Sequence, residues 1–300
     1  MHRASHVILK TGIFVCLAAN FVLGGQQAAV SITADSRSIQ PGELVVLTMT
    51  TAMPVPSIHV HAFDRELMPW RVDDRTWRVL VGIDLDVAAG PHPVSIDAGA
   101  SPDVSRTTYP LVVRAKRFPT RTLTVDGAFV NPPASVNERI AAEAAVLERL
   151  WRVSSPVQAW PSGFVRPVPD PANSAFGTRS IYNGQPRGAH GGADFSSAAG
   201  TPVKAPNGGR VAIARDLYFT GNTVIIDHGL GMFSTFAHLS AIDVHEGDMA
   251  AAGQPIGRVG ATGRVTGPHL HWGVRLNGAR VDPLSILAIL GRPAATKMSP

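Results

Sequence analysis

Residues 254–276 read QPIGRVGATGRVTGPHLHWGVRL. The stretch opens with a short apolar run, passes through closely spaced glycines, and resumes after the turn signal Thr266-Gly267-Pro268 with HLHWGVRL. Side chains alternate across a strand, so residues i and i+2 share a face. His269 and His271 therefore face one spot while Leu270 faces the core. The pair is either half of a chemical site or two histidines on a solvent face, and the spacing alone does not separate these.

Working outward, residues 176–287 repeat the same β pattern in GTPVKAPNGGRVAIARD, NTVIIDHG and FSTFAHLS, with a glycine at nearly every turn. Upstream lies His190-Gly-Gly-Ala-Asp194. A His and an Asp four apart across two glycines can converge on one ion from a loop that enters a strand, and both are suitable zinc ligands. By itself such a pair is more often a solvated turn. His238, in FAHLS, fits a strand-end acid/base or transition-state stabiliser as well as a merely hydrogen-bonded strand end. His228 reads as structural and His245 as surface. His59-Val-His61 repeats the His-x-His pattern nearer the N-terminus, but no His/Asp loop with turn glycines accompanies it, so a metal role is not expected there.

From Val30 to about Val125 about seven short alternating runs separated by Pro and Gly predict a β-sandwich. Ser135–Arg152 (SVNERIAAEAAVLERLWR) is the one clear helix, with Ser135 and Glu138 spaced as a capping box and Ile140, Ala144, Leu147 and Leu150 at helical spacing. Residues 154–173, rich in Pro, Ser and Gly, form an arm that could lie near the cleft, with Asp170 or Asn173 as its only spare ligands. The N-terminus resembles a secretory leader: a basic start to Lys10, an apolar run over 11–25 and small residues for cleavage near Ala28. The expected organisation is a leader over 1–28, a sandwich over 29–128, a helical connector and arm over 129–173, a second β domain over 174–290 and a tail over 291–300. The fold class is mainly β.

The sequence holds one cysteine, Cys16, inside the leader-like run. A metal site downstream must then use nitrogen and oxygen, which points to an open catalytic centre rather than a thiolate cluster. Twenty-seven basic residues against 22 acidic give a charge of +5, scattered without the stripe a nucleic-acid binder concentrates. No nucleic-acid partner is expected, and no segment beyond the leader could span a bilayer. G-x-S-x-G elbows, phosphate-binding glycine loops and the H-E-x-x-H helix are absent, so any metal site here is built on strands and loops.

Taken together, FGTR, HGGADFSSAAGTPVKAPNGGRV, GNTVIIDHG, FAHLS, GDMAAAGQPIGRVGATGRVTGPHLHWGV and VDP resemble the M23 peptidases, the lysostaphin or LytM type, over about Phe176–Leu284. The sandwich and helix resemble a module that precedes the peptidase in some members. The resemblance implies one Zn2+ per chain held by His190, Asp194 and His271, with His269 as base and His238 facing the substrate. It also implies an exported, periplasmic or extracellular endopeptidase acting on peptidoglycan cross-links or stem peptides, with no stable membrane insertion once the leader is cleaved. The alternative is a non-catalytic wall-binding protein or amidase activator, and intact ligand positions weigh against it. Position 236 is Phe where relatives carry a hydroxylated aromatic, so a catalytic hydroxyl would come from elsewhere, such as Tyr182 or Tyr218.

Overall fold

A computed structural model describes residues 30–124, 127–153, 155–173 and 176–291; the leader-like segment and the tail beyond 291 lie outside these. The fold is mainly β. The first sheet takes the order β1-β2-β6-β5, from β1 (Val30–Ser36), β2 (Leu44–Thr51), β6 (Thr76–Gly82) and β5 (Trp70–Arg71). The second takes β4-β3-β7-β8, from β3 (Ile58–Ala62), β4 (Arg65–Leu67), β7 (Gly90–Ala100) and β8 (Asp103–Val113).

The run Leu44–Leu47 is buried throughout because both faces of β2 are covered. Val45, Leu47 and Met49, with Val79 and Val81 of β6, join Val60, Val94, Ile96 and Leu111 in the sandwich core. Leu44, Val46 and Leu80 point the other way and enter the core of the C-terminal half with Leu276, Val281 and Ile286. Alternation along one strand thus serves two cores.

The strand expected to close the sandwich, β9 (Thr120–Leu123), instead pairs in parallel with β10 (Arg179–Tyr182), which pairs with β11 (Gln185–Ala189). The helix also starts differently. α1 (Gly127–Val130) and a 3-10 turn (Ala134–Val136) precede α2 (Asn137–Leu150), and no side chain caps its first turn. An N-cap needs extended backbone. Pro133, with ψ 149°, holds that conformation, whereas Ser135 is already inside the 3-10 turn; the capping box does not form. α2 is no free connector: Val146, Leu147, Leu150 and Trp151 pack on Ile213, Ile225 and Phe233.

The C-terminal half is a nine-stranded sheet. Its strands are β12 (Gly192–Phe195), β13 (Pro202–Lys204), β14 (Gly209–Leu217), β15 (Gly221–Gly229), β16 (Met232–Ile242), β17 (Met249–Ala250), β18 (Pro255–Val259), β19 (Leu270–Leu276) and β20 (Ala279–Val281). The path is β12-β19-β16-β15-β14-β17, with β20 on β19 and β18 joining β13 to β16. α3 (Pro283–Leu290) follows, capped by the Asp282 carboxylate on the Leu284 N–H. The arm over 155–173 is fixed along the sheet. Trp160, Phe164 and Val168 are buried in the core, and Ala172 bridges Phe195.

Candidate metal centre

The site is assembled by strand register. β12 lies beside β19 with Asp194 directly opposite His271, and β16 lies on the other side of β19 with Ala237 opposite His271. Cross-strand partners bring their side chains within contact reach, so Asp194 and His271 meet although 77 positions separate them. His190 enters from the end of β11, pinned by its N–H to the Thr178 carbonyl at 2.9 Å. His190 Nε2, His271 Nδ1 and Asp194 Oδ1 form a triangle with sides of 2.9, 3.0 and 3.0 Å. Asp194 is buried at 9 % exposure. Burial pushes its carboxyl up, but hydrogen bonds from His190 and His271 outweigh this and hold it well below the usual carboxylate range. Burial likewise pushes His271 down, with Asp194 acting in the opposite sense.

This triangle fits a metal ion. Three lone-pair atoms cannot all be satisfied by the protons two imidazoles supply, and the Nδ1 of His190 is itself buried without a hydrogen-bond partner. A tetrahedral zinc with bonds of about 2.0–2.1 Å sets neighbouring ligand atoms about 3.3 Å apart, close to the observed spacing. Among the described residues these three form the one group of three or more ligands close enough to hold an ion.

The other two predicted residues stand beside the triangle. His269 donates its Nδ1–H to the Gly267 carbonyl at 2.9 Å, and its Nε2 lies 3.9 Å from Asp194 Oδ1. His238 donates its Nδ1–H to the Thr262 carbonyl at 2.9 Å. A carbonyl only accepts, so in both rings Nδ1 carries the proton and Nε2 is the nitrogen left free for another partner. The His238 ring centroid is 5.0 Å from that of His269 and 6.1 Å from that of His271. Burial, then the neighbouring His271, lowers its pKa to about 3.

His238 reaches this position through a bulge. Asn222 pairs with Leu239 and Val224 with Phe236, so Ala237 and His238 together oppose Thr223. His238 takes φ +65°, unusual for a side chain with a Cβ, and its N–H is held by the Thr220 carbonyl at 2.8 Å. Bulges re-aim a side chain at a cost in local pairing, and this one turns the imidazole onto the His271 face. No local sequence signal marks it, nor marks Thr262 as its anchor.

Gly192 is a second residue that sequence reasoning missed. A Cβ there would meet the Trp272 carbonyl at 2.4 Å and the His271 ring at 2.7 Å. The second glycine of HGGAD is therefore a close-approach position that lets β12 lie against the ligand. Gly192→Ala is expected to displace the His271 ring and weaken metal affinity at least tenfold, as the comparison in zinc titrations with a competing chelator will show.

The remaining candidates lie elsewhere. Phe236 is fully buried and stacks on Trp272, 6.4 Å between centroids. Tyr218 packs against Phe219 and Arg139, and Tyr182 lies beside Arg264. His228 is wholly buried between the Gly208 carbonyl and the Ser234 hydroxyl, and burial lowers its pKa to about 4. His59 faces Glu66 on an exposed surface, and His245 is exposed beside Asp248. Asp170 accepts the Ser197 hydroxyl at 2.6 Å, while Asn173 gives its backbone N–H to the Asp194 carbonyl. The arm thus braces β12 through its backbone.

An antiparallel sheet carrying a His–Asp–His group beside two further imidazoles defines a metallopeptidase type of site. Comparison with known proteins agrees: the sequence pattern of peptidase family M23 matches residues 188–283. A solved structure from Pseudomonas aeruginosa assigned to peptidase M23 superposes with a TM-score of 0.66 at 32 % identity, covering 84 % of this chain and 96 % of that one. The chain belongs to peptidase family M23. It is 43 % identical over 97 residues to the DD-carboxypeptidase/endopeptidase Mpg of Neisseria meningitidis, which is 32 % of this chain and 22 % of that protein. It is 42 % identical over 95 residues to the peptidoglycan DD-endopeptidase ShyA of Vibrio cholerae, again 32 % and 22 %. The matched stretch thus spans about a fifth of these curated relatives. Among the described residues no helix is long and apolar enough to cross a membrane.

Proposed function

We propose that this protein is a zinc endopeptidase that hydrolyses peptide bonds in peptidoglycan cross-links or stem peptides outside the cytoplasm. The observation that carries the reading is the 2.9–3.0 Å triangle of His190, Asp194 and His271 beside two imidazoles with open Nε2 atoms. The names of the relatives support the substrate. The organisation proposed is a leader, a sandwich, a helical connector with arm, and a peptidase unit.

His190, Asp194 and His271 would hold the ion. Bound there, zinc supplies acidification of a water and polarisation of the scissile carbonyl. His269 would accept a proton at Nε2 from a nucleophilic water, because the Gly267 carbonyl occupies its other nitrogen and fixes the ring. His238 is held by Thr262 in the same way. While neutral it accepts a hydrogen bond from water or the leaving amine, and it donates to an oxyanion only after gaining a proton.

The test is digestion of purified peptidoglycan by the full chain, with mass analysis of the fragments. The expected result is new peptide amine and carboxylate ends, lost with chelator and restored by stoichiometric zinc. Zinc-free protein that cuts nothing but stimulates a partner amidase would instead establish the non-catalytic alternative.

A further inference from the structure

Arg264 lies in the loop between β18 and β19, two residues after Thr262 and five before His269. The loop is closed at its neck by the Gly260–His269 bridge. Its middle is clamped to the turn before β15. The Arg264 N–H donates to the Phe219 carbonyl at 2.9 Å, and the Thr262 hydroxyl takes the Asn222 N–H at 2.9 Å while donating to the Leu239 carbonyl at 2.8 Å. The loop that presents Arg264 is thus anchored by the Phe219 carbonyl and by Thr262, the residue that also orients His238.

The guanidinium carbon sits 4.6 Å from the Phe219 ring centroid and 5.6 Å from that of Tyr182. Tyr182 ends the strand whose hairpin leads to His190, and Phe219 precedes the Thr220 that holds the His238 backbone. Arg264 is thus framed by segments that set two of the site histidines. It is half-buried, and among the described residues its guanidinium meets the two rings and no hydrogen-bond acceptor or carboxylate. Among the described residues, the charged or titratable groups felt there are the Tyr182 hydroxyl and a second cation, Arg187. Arg187 donates to the Val130 carbonyl and to Gln185, not to a carboxylate. Burial, first, lowers the Arg264 pKa. Several other guanidiniums do find carboxylates, among them Arg37 with Glu43 and Asp282, Arg139 with Glu143, Arg215 with Glu246 and Arg280 with Asp84. Arg275, also part-buried, instead donates to the Gly278 carbonyl, so what sets the half-buried Arg264 apart is that its guanidinium has no acceptor at all among the described residues.

A partly desolvated cation without a counter-ion is costly and is normally paired. Two aromatic rings flank the guanidinium and hold it by cation–π contact, and its unbonded N–H groups suit a carboxylate through two parallel hydrogen bonds. We propose that Arg264 receives a carboxylate of the peptide to be cut and so sets which bond lies over the His–Asp–His group. The assignment rests on the peptidase reading and adds a substrate class to it: peptides bearing a carboxylate near the scissile bond, at the C-terminus or on a side chain.

The probes are three synthetic cross-linked stem peptides: one with all carboxylates free, one amidated at the C-terminus and one amidated at the side-chain carboxylate. Native protein is expected to cut one of the amidated peptides at least tenfold less efficiently in kcat/KM than the free one, and which one identifies the source of the carboxylate. In Arg264→Gln this discrimination collapses to under twofold, and Arg264→Lys, which keeps charge without the planar fork, stands between. Calorimetric binding of the free and amidated peptides to zinc-loaded protein in which His269 is replaced by alanine gives the same order without turnover. Should Arg264→Gln fail to fold, the native substrate series and Arg264→Lys still decide. Cleavage of all three at one rate leaves the peptidase reading standing and overturns the assignment, as does an Arg264→Gln protein that keeps full discrimination. Cleavage of none overturns the peptidase reading and the assignment with it.

Discussion

Replacing His271 by alanine is expected to end hydrolysis and zinc binding together while leaving the metal-free fold intact. The imidazole supplies one corner of the 2.9–3.0 Å triangle, and without it Asp194 and His190 are an incomplete ligand set. Metal catalysis supplies several kcal/mol of transition-state stabilisation, and about 4 kcal/mol is ~10³-fold in rate, so turnover falls by at least that factor. The metal-free variant loses one hydrogen bond to the buried Asp194 carboxylate, a cost of about 1–3 kcal/mol, but His190 Nε2 at 3.0 Å remains as its partner, so the chain still folds. Zinc at 100 times its dissociation constant should raise native stability by about 2.7 kcal/mol, and the melting temperature of His271→Ala should not respond. His269→Ala separates the roles: it retains the zinc-dependent rise in melting temperature and loses turnover. A His271→Ala protein that still binds one equivalent of zinc and digests peptidoglycan would remove the basis of the proposed mechanism.

What could be read from sequence divides by range. The alternation through His269–Leu276 and the glycine-spaced His190–Asp194 pair are local patterns, and both place their residues at the site. The pairing of Asp194 with His271 across 77 positions depends on strand order, which periodicity does not encode. The position of His238 is not legible, because it comes from a positive φ inside a bulge, a conformation that its residue type does not announce. Gly192 reads as a turn residue, although what its place requires is absence of bulk against the His271 ring. Ser135 fits the capping pattern by spacing, but Pro133 occupies the extended position. β9 alternates like a sandwich strand, and only tertiary context sends it to β10. The apolar run of β2 marks a strand, yet not that its second face would dock on the peptidase core.

That docking motivates the second large effect: Arg37→Met is expected to lower the stability of the whole chain by about 2–3 kcal/mol. Arg37 donates to Glu43 at 2.8 and 3.0 Å and to Asp282 at 2.6 Å, tying the start of the sandwich to the cap of α3. Burial depresses its pKa, and the bonds to the two carboxylates outweigh that and raise it. The carboxylates are far more enclosed than the guanidinium, with side-chain exposures of 3 % and 10 % against 36 %. Glu43 also accepts the Ser285 hydroxyl at 2.8 Å, and Ser285 takes the Leu44 N–H at 3.0 Å. Removing Arg37 leaves Lys116, 3.4 Å from Glu43, as a weaker counter-charge, and leaves the Asp282 carboxylate its Leu284 N–H but no cation partner. The cost follows from uncompensated buried charge rather than from the worth of the pair itself; the exposure of Arg37 keeps the estimate below the full range for enclosed pairs. A second change that removes charge, Glu43→Gln in the Arg37→Met background, should recover part of the loss, a non-additivity expected only of groups in one network. Because Leu44, Val46 and Leu80 share a core with Leu276, Val281 and Ile286, both proteins should unfold in one transition, with the midpoint of Arg37→Met roughly 5–10 °C lower. Two separated transitions in the calorimetric trace, with only the first displaced, would mean that this contact joins independently stable halves instead of completing one core.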